Sequence, residues 1–328
     1  MMDRLKVVIP AAGAGTRLRP HTHTTPKTLV RVAGKPILGH VLDGLSTLQI
    51  EELIVVVGYM GDKIRDFISR NYDLKVTFVE QPERLGLGYA ISLTKGAVGD
   101  SPVFITLDDT IIEFDLQGML ENGYSAIGVK EVEDPRRFGV VELKDGFIRY
   151  LVEKPEVPPS NLAIVGVYFI RNSPLLFECL DEVIRRGIKV KGEYQLTDAL
   201  QMMIERGERI RAFPIDGWFD CGKPETLLAT NRHLLEKQGG EYDLPGSIVV
   251  PPVFIGEGVK VERSIIGPYV SIAEGCSISN SILRDSIINE NATVSDVLLE
   301  GSLIGANAVV TGRAYNLNVG DSSEVNLS

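Results

Sequence analysis

The stretch Lys6-Val7-Val8-Ile9-Pro10-Ala11-Ala12-Gly13-Ala14-Gly15-Thr16-Arg17 carries a short apolar run straight into a loop of small residues. The run Lys6 to Ile9 reads as a strand. In the loop, small residues let backbone N–H groups approach an anion, and Arg17 can add a bidentate guanidinium. Two familiar phosphate loops are excluded: a dinucleotide fingerprint needs a third glycine where Leu18 stands, and a Walker loop needs Gly-Lys-Ser/Thr, which this loop lacks.

Working outward, short apolar runs alternate with helical patterns. Strands are expected at Leu53 to Val57, Val76 to Glu80 and Val103 to Leu107, and helices at Ile37 to Leu48, Met60 to Arg70 and Leu85 to Lys95. Strands apolar on both faces and separated by helices imply a parallel sheet covered on both sides. The fold class is therefore α/β, with a doubly wound, mixed and mostly parallel sheet. In such sheets ligands collect beyond the carboxyl ends of the strands, where the loop after Ile9 and the pair Asp108-Asp109 both fall. From Ser125 to Tyr168 the pattern turns to hairpins, with a turn signal at Lys144-Asp145-Gly146. Helices return at Leu175 to Arg186, Leu196 to Glu205 and Pro224 to Lys237.

After Gln238-Gly239-Gly240 the helical periodicity stops. Apolar residues then recur at close to six-residue steps: Ile255, Val261, Ile266, Ile272, Ile278, then Ile288 and Val294, then Ile304 and Val310. Hexapeptide spacing with Ile-Gly-Glu-Gly and Ile-Gly-Ala-Asn turns is the pattern of a parallel β-helix, here of roughly four coils. Two domains follow, residues 1–240 and 246–328.

Composition narrows the function. A hydrophobic fraction of 44% and a charged fraction of 24% are ordinary for a globular chain. A formal net charge of −10 argues against nucleic acid as a partner. No apolar run is long enough to span a bilayer, and Met1 to Pro10 is too short and polar for a secretory signal, so a cytoplasmic protein without a membrane partner is expected. Cys179, Cys221 and Cys276 lack metal-ligand spacing and read as packing residues. The histidines are His21, His23, His40 and His233.

The loop gains specificity from its continuation to Pro26-Lys27-Thr28-Leu29. The whole string, Gly13-x-Gly15-Thr16-Arg17 through Pro26-Lys27-x-Leu29, resembles the signature of the sugar-nucleotide pyrophosphorylases. Over residues 1 to about 237 the resemblance continues in order. Gln81 is followed by Gly86-Leu87-Gly88-Tyr89-Ala90, then Leu107-Asp108-Asp109, Phe138-Gly139-Val140-Val141 and Glu153-Lys154-Pro155. Gly192-Glu193-Tyr194-Gln195-Leu196-Thr197-Asp198 and Trp218-Phe219-Asp220-x-Gly222 complete it. With its hexapeptide domain the chain looks like the long-form glucose-1-phosphate thymidylyltransferases, which implies that the C-terminal β-helix is left-handed.

The resemblance implies a transferase that joins a nucleoside triphosphate to a sugar 1-phosphate with Mg2+. It places the triphosphate on Ala11, Ala12, Gly13, Gly15 and Thr16, Arg17 on the β- and γ-phosphates, and Lys27 near the α-phosphate. Gln81 with Gly86 and Gly88 would read a pyrimidine, Asp109 and Asp220 would hold the metal, and Lys154 would take the sugar's phosphate. Gly139 and Glu153 would take its hydroxyls. The family usually has Leu-Gly-Asp where this chain has Leu107-Asp108-Asp109, and Asp109 is the better match. Trp218 reads as a core residue. The preferred substrates are dTTP and glucose 1-phosphate; the alternative is a UTP–glucose-1-phosphate uridylyltransferase. A non-catalytic regulatory protein of the same two-domain form is a further alternative, which retention of Arg17, Lys27, Asp109 and Asp220 disfavours. Acetyl transfer in the β-helix is disfavoured because no histidine follows His233. β-Helix flanks are natural packing surfaces, so a homo-oligomer is expected.

Overall fold

The computed structural model describes residues 5–312, so the part of the expected β-helix domain beyond residue 312 lies outside them. The chain divides into two compact units: residues 1–30 with 35–227, and residues 31–34 with 228–328. The second unit thus takes in most of the Pro224–Gln238 helix and a short excursion near residue 31, neither of which is marked by the change of composition at Gly239.

In the first unit a nine-stranded sheet is built from β1 (Leu5–Ala11), β2 (Ile50–Val57), β3 (Val76–Glu80), β4 (Val103–Thr106), β5 (Ser125–Glu131), β6 (Gly139–Lys144), β7 (Phe147–Glu153), β8 (Leu162–Ile170) and β9 (Ile210–Pro214). Their order is β3-β2-β1-β4-β8-β5-β9-β7-β6. The chain steps outward from β1 through β2 to β3, then returns to lay β4 on the other side of β1, all parallel. That reversal leaves a crevice beyond the carboxyl ends of β1 and β4. Val7, Val8 and Ile9 of β1 are fully buried, as are Leu53 to Val57 of β2, because helices cover both faces of these central strands. Beyond β4 the sheet turns mixed: β8 runs antiparallel to β4 and β5, and β6 and β7 form a hairpin. Asp145 and Gly146 turn that hairpin at φ 54° and 78°, the left-handed pair its Asp-Gly sequence favours.

Several elements differ from the sequence reading. The helix expected over Ile37 to Leu48 ends at Gly44 and continues only as tight turns, Ser46 N donating to Asp43 O and Leu48 N to Leu45 O. The helix expected over Leu85 to Lys95 begins at Leu87, because Gly86 has φ 104°, and it is interrupted where Thr94 Oγ1 bonds back to the Ile91 carbonyl at 2.7 Å. A small two-stranded sheet, Thr110–Glu113 with Gly217–Asp220, was not legible in the pattern. Nor was the helix Leu116–Glu121, capped by Asp115 Oδ1 on Gly118 N.

The second unit contains three parallel four-stranded sheets whose strands recur in turn along the chain, the arrangement of a three-sided β-helix with four coils. Val261, Ile278, Val294 and Val310 stack in register, at steps of 17, 16 and 16 residues. Three strict hexads would need 18, which is why the sequence period loses phase. Arg263, Asn280 and Asp296 recur at one corner with φ 45°, 47° and 58°, tied by Arg263 Nε to Asn280 Oδ1 and Asn280 Nδ2 to Asp296 Oδ1. Asn and Asp tolerate this region, so Asn- and Asp-rich corners turn the coil at low cost. Inside, Val253, Ile266, Val270, Ile272, Ile278, Leu283, Ile288 and Val294 belong to one buried apolar cluster. Among the described residues no helix is long and apolar enough to cross a membrane.

Candidate active site

The phosphate-loop candidate leaves the carboxyl end of β1. Gly13 faces open space, with no atom within 4 Å of where a Cβ would stand. Gly15 is sterically required: its φ is 59°, and a Cβ there would lie 2.8 Å from Lys27 Cβ and 2.9 Å from Thr22 Cγ2. The loop is thereby pressed onto the stem of Lys27, and Thr22 Oγ1 holds it by donating to Gly15 O at 2.7 Å. Thr16–Leu18 is a single tight turn anchored by buried Leu18, which leaves Arg17 exposed.

Lys27 lies in a similar turn, Lys27–Leu29, and is only 8% exposed. Its Nζ donates to Asp109 Oδ2. Asp109 follows β4, and its other carboxylate oxygen accepts from Thr110 Oγ1 at 3.1 Å. The small two-stranded sheet explains how a distant residue joins it. Asp220 stands opposite Thr110, and Cys221 N donates to the Asp109 carbonyl at 2.9 Å. Asp220 Oδ1 accepts from Gly222 N at 2.8 Å. A Cβ on Gly222 would fall 2.7 Å from Asp220 Oδ1 and 3.0 Å from a guanidinium nitrogen of Arg17, so the glycine leaves the space these two charges share.

Arg17, Asp109, Gly139, Glu153, Lys154 and Asp220 line one cleft of about 560 Å³, and Lys27 reaches it through Asp109. Gly139 pairs in register with Glu153 across the β6–β7 hairpin. Thr197 Oγ1 donates to Glu153 Oε2 at 2.7 Å, and a Cβ on Gly139 would come within 3.0 Å of that same carboxylate oxygen. Lys154 has φ 45°, a strained conformation for a lysine, with its N–H on Phe138 O and its Nζ 3.0 Å from Glu153 Oε1. Burial pushes the Tyr168 hydroxyl and the Asp198 carboxyl upward in pKa, and the charge of Glu153 adds to both shifts.

Other candidates are placed differently. Gln81 is tied to the chain by N–H on Val57 O and Nε2 on Glu83 O, and it is not among the residues lining this cleft. Gly86 and Gly88 pack against the backbone of Tyr194 and Gln195, where a Cβ would come within 2.6 and 2.8 Å of carbonyl oxygens; Leu87 between them lines the cleft. Trp218, read as core from sequence, instead lines the cleft, its ring edge-on to Phe138 at 4.9 Å between centroids. Arg137, Thr197 and Gln195 also line it and received no role from sequence. Thr197 was detectable only as part of a motif; its bond to Glu153 is a tertiary fact. Asp108 is buried, and burial with the adjacent Asp109 charge pushes its carboxyl up to about 7, against the pull of Lys27.

The chemistry of the donor set suits a hard cation. Asp109 and Asp220 offer carboxylate oxygens from neighbouring strand ends. No group of three or more His, Cys, Asp or Glu able to hold a metal occurs among the described residues. Two carboxylates with phosphate and water completing the shell is the usual arrangement for Mg2+.

Residues 6–237 match the nucleotidyl transferase family, so the chain belongs to that family. It is 36% identical over 242 residues to the low-salt glycan biosynthesis nucleotidyltransferase Agl11 of Haloferax volcanii. That match takes in 71% of this chain and 66% of the longer relative. It is 32% identical over 318 residues to a glucose-1-phosphate thymidylyltransferase of Streptomyces griseus, covering 88% of each chain. Among solved structures, a UDP-glucose pyrophosphorylase complexed with UDP-glucose superposes with a TM-score of 0.62 at 27% identity. It covers 71% of this chain and 98% of that one.

Proposed function

We propose that the protein transfers a thymidylyl group from dTTP to glucose 1-phosphate, releasing pyrophosphate. The observation that carries this reading is the meeting of two carboxylates, Asp109 and Asp220, with Lys27 and Arg17, in a cleft also lined by Glu153 and Lys154. One group of charges suits a triphosphate and a cation; the other suits a phosphorylated polyol. The Streptomyces griseus relative, matched over nearly the whole of both chains, supports dTTP and glucose 1-phosphate as the substrate pair.

In this reading a phosphate oxygen of the sugar attacks the α-phosphorus. A new P–O bond forms as the bond to the β-phosphate breaks, and pyrophosphate leaves with the electron pair. Two anions must be brought together in line, so charge neutralisation and alignment carry the rate, and no protein nucleophile is required. Arg17 grips the departing phosphates, Lys27 faces the charge that grows at the α-phosphate, and Lys154 holds the incoming phosphate. Glu153, its second oxygen fixed by Thr197, accepts sugar hydroxyls. Asp109 and Asp220 would hold Mg2+, which supplies further neutralisation of the triphosphate when bound.

Pyrophosphate release, measured across dTTP, UTP, ATP, CTP and GTP against several sugar 1-phosphates, tests the proposal. The highest kcat/KM is expected for dTTP with glucose 1-phosphate. Preference for UTP would replace the base, and absence of release with every pair would favour a regulatory role.

A further inference from the structure

Phe147 opens β7 at the end away from the cleft, and the strand register gathers positive charge around it. It pairs with Arg211 of β9 on one side and with Lys144 of β6 on the other, so the three side chains form a row on one face of the sheet. Arg209, two residues before Arg211, and Tyr124, one residue before β5, continue that face into the next row. The Arg209 guanidinium carbon lies 3.9 Å from the Phe147 ring centroid and 5.1 Å from that of Tyr124. The Arg211 carbon lies 5.2 Å from both, and the two rings meet edge to face at 5.0 Å. Strand pairing and ring contact together hold both guanidiniums in place.

These charges are not matched by acids. Lys144, Arg209 and Arg211 are exposed, and neither they nor Asp145 of the adjoining turn forms an ion pair among the described residues. The neighbouring Glu208 is engaged elsewhere: Ser125 Oγ donates to its Oε1 at 2.8 Å and Asn172 Nδ2 to its Oε2 at 3.4 Å. Other surface arginines of this acidic chain do have carboxylates, Arg65 with Glu80 and Arg206 with Glu182 among them. Because both guanidiniums lie over one ring, their carbons are no more than about 9 Å apart. Like charges held that close repel, and an anion placed between them removes the repulsion.

A guanidinium over an aromatic ring spends its face on that contact and keeps its N–H edge for an anion. Two such forks beside an ammonium suit a multiply charged phosphate better than a single carboxylate, which one fork satisfies. We propose that Lys144, Arg209 and Arg211, steadied by Tyr124 and Phe147, form a second anion site that takes a diphosphate group. None of the five lines the cleft. The seven residues of β7 from Phe147 to Glu153 set the two sites about 20 Å apart. Free pyrophosphate and the phosphates of a nucleotide share the chemistry this site recognises.

The test uses the full-length protein. The Nε–Hε cross-peaks of Arg209 and Arg211, assigned by substitution, report the new site, while emission from Trp218, the single tryptophan, reports the cleft. Pyrophosphate, dTTP, acetate and an oligoglutamate are titrated separately at constant ionic strength. Pyrophosphate is expected to shift both cross-peaks saturably and to bind there at least about tenfold more tightly than acetate. Saturation by dTTP at similar concentration would assign the site to nucleotides, and its absence would assign it to the free anion. Arg211→Gln should weaken the pyrophosphate response of Arg209 about tenfold, with the Trp218 titration within about twofold of the parent. Arg211→Lys should recover part of that loss, and Phe147→Leu, which keeps every charge, should weaken binding about threefold. Shifts that stay linear, or that saturate equally with acetate, would reduce the cluster to screened surface charge and overturn the proposal. So would an Arg209 response unchanged in Arg211→Gln, or saturation by the oligoglutamate without saturation by pyrophosphate.

Discussion

Lys27 donates to Asp109 across 82 residues of chain, and that contact joins the phosphate-loop side of the crevice to the carboxylate side. Lys27 is 9% exposed at its side chain and Asp109 24%, so the pair is partly desolvated and its geometry is set by backbone on both sides. Replacing Lys27 with Ala is expected to lower kcat by roughly 10²- to 10³-fold, the usual loss when a preorganised charge facing the transition state is removed. Rapid-quench measurement of pyrophosphate formation distinguishes loss in the chemical step from slower product release. An unchanged chemical step would remove Lys27 from the reaction.

Asp220→Asn tests the second carboxylate with little change of shape. The carboxamide oxygen can still accept from Gly222 N, so the strand pairing with Thr110 should persist. Turnover at saturating substrates should fall at least about 10²-fold, with the melting temperature within about 3 °C of the parent. The Mg2+ concentration for half-maximal rate should rise. A folded variant with the parent's Mg2+ dependence would take Asp220 out of the metal site.

Much of this arrangement was readable from residues, and the limits have physical causes. Val7 to Ile9 and Leu53 to Val57 announce buried parallel strands because both faces are covered, leaving no polar alternation. The loop after β1 and Asp109 after β4 could be placed at one crevice by sheet logic alone. Asp220 could not, because its position depends on Gly217–Asp220, a four-residue strand that pairs, among the described residues, with just one other four-residue strand. Trp218 shows the same limit: a tryptophan in an apolar run reads as core, and only the pairing of its strand reveals that one face meets the cleft. The coil period failed for a different reason, since corners made by one left-handed residue shorten each turn below three hexads.

Gly139→Ala probes the sugar side. The added methyl would stand 3.0 Å from Glu153 Oε2 and 3.3 Å from Thr197 Oγ1, so the carboxylate must yield by a few tenths of an ångström. Because Gly139 and Glu153 are paired across a hairpin that stays intact, the effect should fall on sugar binding. KM for glucose 1-phosphate is expected to rise about 5- to 50-fold, with KM for the nucleotide within about twofold. Isothermal titration of the nucleotide alone provides the control, and weakened nucleotide binding would show that the change is not confined to the sugar subsite.

Asp108 carries the pH prediction. Its carboxyl is raised from 3.8 to about 7, first by burial and then by Asp109. Between these values the folded protein holds a proton that the unfolded chain has released, so folding stability falls as pH rises through the window and levels off above about 7. The charged form is the unfavourable one, and an asparagine resembles the protonated acid. Asp108→Asn should therefore gain stability over the parent as pH rises, with little difference at pH 4 and a plateau above pH 7 on the order of 1–4 kcal/mol. Urea unfolding of both proteins at pH 5, 6, 7 and 8 measures the gain. A difference that is flat across that range would show that Asp108 is ionised throughout and is held by a partner other than its own proton.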